Sequence, residues 1–215
     1  MIRSHGVLAI LWLAYFALHS CFAASTIKAK VAKHWPRIFR RYRLLYNASA
    51  VMLLVPVLVY MKTIDTVMVW EWSGWPRWIA DGLAIGAIGL FFWSTRYYDM
   101  KAFMGLTSGE PATMPRLALS PLHRHVRHPW YFLALIIIWT RDMDSAFLVS
   151  AILMTGYFWL GSKLEERKLV GEFGPVYDEY IKRVPGLIPW PGRYLTKEQV
   201  DSMVSAQHGD AHQSR

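Results

Sequence analysis

The sequence predicts an all-α integral membrane protein with about five transmembrane segments. The last two form a short helical hairpin, followed by a cytosolic amphipathic helix. Three observations predict it. Of 215 residues, 54% are hydrophobic and only 18% charged, with mean hydropathy +0.20, too apolar for an ordinary soluble domain. The apolar residues gather in runs separated by charged loops. The basic residues, which give a net charge of +9 and a pI of about 9.7, concentrate in loops beside those runs. Spread over a soluble surface, that balance would suggest nucleic acid. In these loops it fits the cytoplasmic faces of a membrane protein, with membrane lipids and not nucleic acid as the partner. The single cysteine, Cys21, excludes a disulfide framework within the chain.

The five segments follow in order. The first is about Val7–Ala24 and the second about Leu44–Tyr60, with Pro56 inside it. The third is about Trp78–Trp93, after the turn material Ser73-Gly74-Trp75-Pro76. The fourth, Trp130–Trp139, and the fifth, Ala146–Gly161, are short for a span of roughly 20 residues. Arg141, Asp142 and Asp144 make the hairpin turn between them.

The loops orient the chain. Lys28, Lys30, Lys33, Arg37, Arg40, Arg41 and Arg43 lie between the first two segments, and the first acidic residue is Asp65. Lys62, Asp65, Glu71 and Arg77 nearly balance in the next loop. Arg96, Lys101, Arg116, Arg124 and Arg127 precede the fourth segment, and Lys163, Arg167, Lys168, Lys182 and Arg183 follow the fifth. The positive-inside rule then places the N-terminus outside and the C-terminus in the cytoplasm. Trp70, Trp72, Trp75 and Trp78 suit an outer interfacial belt. Arg3, the apolar core and Ala23-Ala24 imitate a signal peptide, but the basic cluster that follows would resist export, so cleavage is not expected. Residues 1–195 read as one membrane domain. Residues 196–215 read as a polar tail without apolar period, expected to be disordered.

Chemistry concentrates in Leu122–Tyr131, LHRHVRHPWY. His123, His125 and His128 have the spacing of a metal-binding box. Arg124 and Arg127 would repel a cation, however, and the other histidines form no second box, so no metal is expected. Two readings remain: a juxtamembrane basic patch on lipid phosphate, and a cofactor loop. In the second, Pro129 starts a helix and puts His128 at its N-terminal end, where anionic groups are favoured. Glu165 and Glu166 follow the fifth segment on the same membrane side. They read either as a solvated pair beside Arg167 and Lys168 or as carboxylates facing the Arg-His loop. Gly174-Pro175 then starts a short helix with Val176, Tyr177, Tyr180 and Ile181 on one face. That helix reads as an interfacial anchor or as a lid.

The order RHPWY, hairpin, EER-x-L-x-x-x-FG-x-x-Y-x-x-Y-x-x-RVP-x-x-IP, over about Ser120–Pro189, resembles the isoprenylcysteine carboxyl methyltransferase family and its phospholipid methyltransferase relatives. The resemblance implies an integral membrane enzyme using S-adenosylmethionine (SAM) at the cytosolic face. It implicates Arg127, His128, Pro129, Tyr131, Glu165 and Glu166 in cofactor binding, with His125 of the same loop a further candidate beside them, and Tyr177, Tyr180 and Arg183 in shaping the pocket. Tyr15–Ser20, Tyr42–Asn47 and Tyr98–Leu106 look like the bacterial methanethiol S-methyltransferase branch, which adds Arg43, Tyr46 and Asn47 as pocket residues and implies a bacterial inner membrane. Ser120-Pro121-Leu122-His123 departs from the Gly-Pro-Tyr that often precedes the loop, and Trp130 is bulky for its position.

The function expected is methyl transfer from SAM to a small or lipophilic acceptor, with a thiol favoured over a carboxyl or phospholipid amine. A thiol must lose its proton to become the nucleophile, and His19, within an apolar segment, and His123 are the candidate bases. The competing classes are a haem-dependent isomerase or redox protein and a non-catalytic adaptor that binds anionic lipid.

Overall fold

The computed structural model describes residues 2–107 and 119–203. Helix α1 spans Ile2–Ala23, α2 Ser25–His34, α3 Pro36–Phe39 and α4 Tyr42–Thr63. Strand β1, Met68–Trp70, precedes α5, Gly74–Thr95, and α6, Met100–Met104. A 3-10 turn, Pro121–Arg124, leads to α7, Pro129–Trp139. Strand β2, Met143–Asp144, then runs into α8, Ser145–Phe173, and α9, Pro175–Arg183. Residues 197–203 are helical as well.

The protein is an all-α integral membrane protein. Helices α1, α4, α5 and α8 are long and apolar enough to cross a bilayer. The expected fourth segment is the 11-residue α7, about 16 Å at 1.5 Å per residue and short of a full span. The expected fifth segment is longer than its apolar run. No proline interrupts the chain after Gly161, so α8 continues past Glu165 and Glu166 to the break at Gly174-Pro175. Ile10, Leu13, Val51, Met52 and Ile85 are exposed, as lipid-facing side chains should be.

The chain groups into two compact units. The first comprises Met1–Arg77, Tyr98–Thr113 and Arg141–Thr155. Leu8, Trp12 and Phe16, four residues apart, form the buried stripe of α1. Trp12 Nε1 donates to Ser150 Oγ at 2.8 Å, pinning α1 to the start of α8. The hairpin turn does more than reverse the chain. β2 pairs antiparallel with β1, Met68 opposite Asp144; Asp142 accepts from the Trp72 amide at 2.9 Å; Asp144 accepts from the Phe147 amide at 2.7 Å and caps α8. At the other end of this unit Gly105 ends α6 with φ 78°. A Cβ there would lie 2.9 Å from backbone atoms of Arg43 and Leu44, so only glycine lets α6 dock on the start of α4.

The second unit comprises Trp78–Tyr97, Met114–Thr140 and Gly156–Arg215. Its core is Tyr177, Tyr180, Val184, Leu195 and Val200, with Phe173, Ile181 and Met203 packed against it. Two expectations change here. The apolar face of α9 is buried in this protein core, Tyr177 and Tyr180 being 2% and 1% exposed, so it is not spread on lipid. The start of the expected disordered tail is also ordered. Thr196 Oγ1 accepts from the Gln199 amide while Gln199 Oε1 accepts from the Thr196 amide. This capping box starts the helix that brings Val200 and Met203 into the core. Residues 204–215 lie outside those described.

Candidate active site

Pro129 opens α7 as its first residue, buried and without an N–H to satisfy. The two residues before it are held by backbone. The Arg127 amide donates to Pro185 O at 2.9 Å, and the His128 amide to Gly186 O at 3.1 Å. The Arg-Val-Pro-Gly run after α9 is therefore a docking strip for the Arg-His pair. Gly186 lies directly against the pair: a Cβ on it would make ordinary contact, 3.4 Å from Arg127 Nη2 and 3.6 Å from Glu166 Oε1.

The side chains converge on α8. Arg127 Nε and Nη2 donate to Glu166 Oε1 at 2.9 and 2.6 Å. Its Nη1 donates to Ile181 O at 3.0 Å and to Val184 O. The guanidinium thus ties the loop, α8 and the end of α9 together, and it and Glu166 are 4% and 7% exposed. His128 Nε2 lies 3.1 Å from Glu166 Oε1. Lys163, one turn earlier on α8, reaches Glu166 Oε2 at 3.3 Å. Every oxygen of Glu166 is therefore engaged. Its neighbour Glu165 is half exposed, with Oε2 3.5 Å from His128 Nδ1. Burial by itself would lower the His128 pKa, but hydrogen bonds and charge from Glu165 and Glu166 outweigh it and raise the value. Behind His128 the rings of Tyr131 and Phe158 continue a near-parallel stack, with centroids at 5.5 and 5.0 Å and tilts of 11° and 10°.

The other expected residues are engaged in other bonds. His123 is a cap: the Ser120 amide donates to its Nδ1 at 3.1 Å, and Ser120 Oγ lies 2.9 Å from the same atom. Burial, then the charge of His128, lowers its pKa to about 4, too weak a base to take a thiol proton at neutral pH. His125 is exposed and stacked on Tyr194 at 5.9 Å. Tyr180 donates to His123 O at 2.7 Å and, with Tyr177, belongs to the core. Burial, with Glu166 nearby, raises the pKa of the Tyr177 phenol. Arg183 is a surface residue paired with Glu179 at 2.8 Å. In the first unit Arg43 Nε and Asn47 Nδ2 both donate to Phe103 O, at 2.9 and 3.1 Å, and latch α6 onto α4. Tyr46 Oη lies 2.7 Å from His19 Nε2.

Sequence reasoning missed Lys163, Phe158, Ser120 and Gly186. Two of them had a signal. Lys163 and Glu166 are spaced i, i+3 on a helix, and Ser120 and His123 have capping-box spacing. Among the described residues no group of three or more His, Cys, Asp or Glu is placed to hold a metal ion.

No family model matches the chain, and no solved structure matches it significantly. Curated relatives do. Methanethiol S-methyltransferase 2 of Bradyrhizobium diazoefficiens is 30% identical over 91% of this chain and 76% of its own length. The methanethiol S-methyltransferase of a Pseudomonas strain is 31% identical over 84% and 72%. That of Mycobacterium tuberculosis is 27% identical over 87% and 80%. A membrane-embedded helical chain alike over most of its length to these enzymes, and carrying a buried Arg-Glu centre where the motif lies, belongs to the methanethiol S-methyltransferase family and is an enzyme that transfers methyl groups.

Proposed function

We propose that the chain transfers the methyl group of SAM to a small thiol such as methanethiol, at the cytoplasmic face of a bacterial inner membrane. The observation that carries the donor reading is the contrast between the two glutamates. Glu166 is consumed by Arg127, His128 and Lys163, whereas Glu165 presents a half-exposed carboxylate beside His128. SAM ends in an amino acid whose ammonium needs a carboxylate, and Glu165 fits that need. The 3.5 Å contact between Glu165 and His128 is longer than a tight charge-assisted bond, so the exposed carboxylate can exchange it for the ligand's ammonium. Arg127 acts as a positioning residue that holds the loop and α8 in register. When bound, SAM supplies a sulfonium-activated methyl. The reaction consumes charge, so a site of low polarity suits it, and alignment is the protein's main task.

The side of the membrane follows from charge. Six lysines and arginines and no carboxylate lie between α1 and α4, which favours the cytoplasm for that connection. The β1–β2 ladder joins the α4–α5 loop to the α7–α8 turn. This supports the outer side for both and the cytoplasm for the loop that carries Arg127. The acceptor reading rests on the relatives' names.

Calorimetric titration of the detergent-solubilised protein with SAM tests the donor site. Glu165→Gln is expected to weaken binding about 10- to 100-fold, the range for a hydrogen bond to a charged group, with the unfolding midpoint unchanged. Wild-type affinity in Glu165→Gln would sink the assignment.

A further inference from the structure

The connection between α1 and α4 carries six lysines and arginines and no carboxylate, and the Arg127–Glu166 centre uses none of them. The connection is folded, not slack. Helix α2 follows α1 after Ala24 and ends at Trp35, whose amide donates to Val31 O at 2.8 Å. Pro36 starts α3, and the Ile38 and Phe39 amides both donate to Trp35 O at 3.0 Å. Tyr42, the first residue of α4, donates its hydroxyl to Phe22 O at 2.6 Å. The two spanning helices are thus clamped at the feet of a short helical arch.

The arch has a packed side and an open side. Ile27 and Val31, one turn apart, are half-buried. Lys28, Lys30, Lys33, Arg37, Arg40 and Arg41 are all exposed. Among the described residues, no carboxylate pairs with Lys30, Lys33, Arg37, Arg40 or Arg41. Other exposed cations do find one: Arg77 with Asp142, and Lys182 and Arg183 with Glu179. Two large apolar side chains stand out among the cations, Trp35 at 57% and Ile38 at 47% exposure. Water satisfies the charges and not the indole. A bilayer surface satisfies both, since lipid phosphates meet the cations and the headgroup boundary takes the indole. Helices α1 and α4 are long and apolar enough to cross a bilayer, which puts the arch that joins them at its surface. A cluster of about four to eight Lys and Arg beside a spanning helix attracts anionic lipid.

We propose that the α2–α3 arch is a docking surface for anionic phospholipid. Lys30, Lys33, Arg37, Arg40 and Arg41 meet the negatively charged headgroups, and Trp35 and Ile38 seat at the headgroup boundary. The inference stands apart from methyl transfer and from the donor site.

The test places the full-length protein in nanodiscs of phosphatidylcholine alone, or of phosphatidylcholine and phosphatidylglycerol in equal parts. A neutral amine-reactive reagent reads each lysine by mass spectrometry. Phosphatidylglycerol is expected to slow modification of Lys30 and Lys33 on the order of fivefold, the factor one cation gains beside an anionic surface. Lys168, exposed on α8, should change less than about twofold by the same measure. Raising the salt should erase the difference. A second arm measures the lipid that the detergent-solubilised protein retains from the equal mixture. The wild type should favour phosphatidylglycerol by about tenfold or more. Lys30→Gln, Lys33→Gln and Arg37→Gln together should lose most of that preference. Arg167→Gln, Lys168→Gln and Lys182→Gln together remove the same charge elsewhere and should keep it. Equal protection of Lys168, or an equal loss in the second variant, would reduce the effect to net charge and overturn the proposal. Protection by polyglutamate or RNA but not by phosphatidylglycerol would also overturn it, assigning the arch to a soluble partner. Should the first variant fail to fold, protection of Lys30 and Lys33 in the wild type decides alone.

Discussion

Two polar centres sit in this membrane protein, and they are built in opposite ways. The Arg127–Glu166 centre is almost sealed from solvent and nearly saturated. Three cationic side chains converge on one carboxylate, and carbonyl oxygens from the end of α9 take further guanidinium protons. The His19–Tyr46 centre joins two half-buried rings on bilayer-spanning helices through a 2.7 Å hydrogen bond. Saturation identifies a group that holds the fold. The same contrast recurs inside the second unit, where adjacent glutamates on α8 divide the labour: Glu166 positions, and Glu165 faces outward.

The comparison breaks most visibly at Arg127. Arg127→Ala leaves Glu166 buried with its main partner gone, and about 3–5 kcal/mol of stability should be lost. Denaturation in detergent measures it, and a loss below 1 kcal/mol would remove the structural role assigned here. The next effect is a pH dependence. His123 binds a proton in the unfolded chain near the ordinary value of 6.5 and in the folded protein only near 4. Its contribution to stability is therefore present above pH 6.5 and is lost as pH falls through that window. His123→Asn, which keeps an acceptor for the Ser120 amide, should flatten the decline in the unfolding midpoint between pH 6.5 and 4. His128 has the opposite sign. Its raised pKa stabilises the fold below the ordinary value and ceases to do so as pH rises through the folded value. Tyr46→Phe should cost only about 0.6 kcal/mol of stability, and a much larger loss would give this contact a main part in holding α1 to α4. The smallest effect is at the surface: Arg183→Ala breaks an exposed pair with Glu179 and should leave the unfolding midpoint within error.

Much of the fold is legible in the chain because bilayer segments announce themselves by length and apolarity. The helices on Val7–Ala24, Leu44–Tyr60 and Trp78–Trp93 need only extension by a few residues at their ends. The apolar pattern misplaces the end of α8, because a helix continues through polar residues until a glycine-proline break stops it. It is silent about β1 and β2, where two and three residues pair across a long sequence separation. In the site, Arg127, His128, Glu165 and Glu166 are readable as a group, while Arg183, Tyr177 and Tyr180 share the motif without sharing the cluster. Spacing in a motif records which residues travel together. It does not record whether each one packs, caps or faces a ligand.

Composition, loop charge and motif order by themselves determined a helical membrane enzyme with an Arg-His loop and a glutamate pair beyond a hairpin. Only the tertiary structure decided which glutamate is buried under three partners and which is half exposed. It alone showed His123 as a cap and His19 as the partner of Tyr46. The physical reason is that burial and saturation depend on contacts between residues tens of positions apart, such as Arg127 with Ile181 and Val184, and no local pattern encodes those.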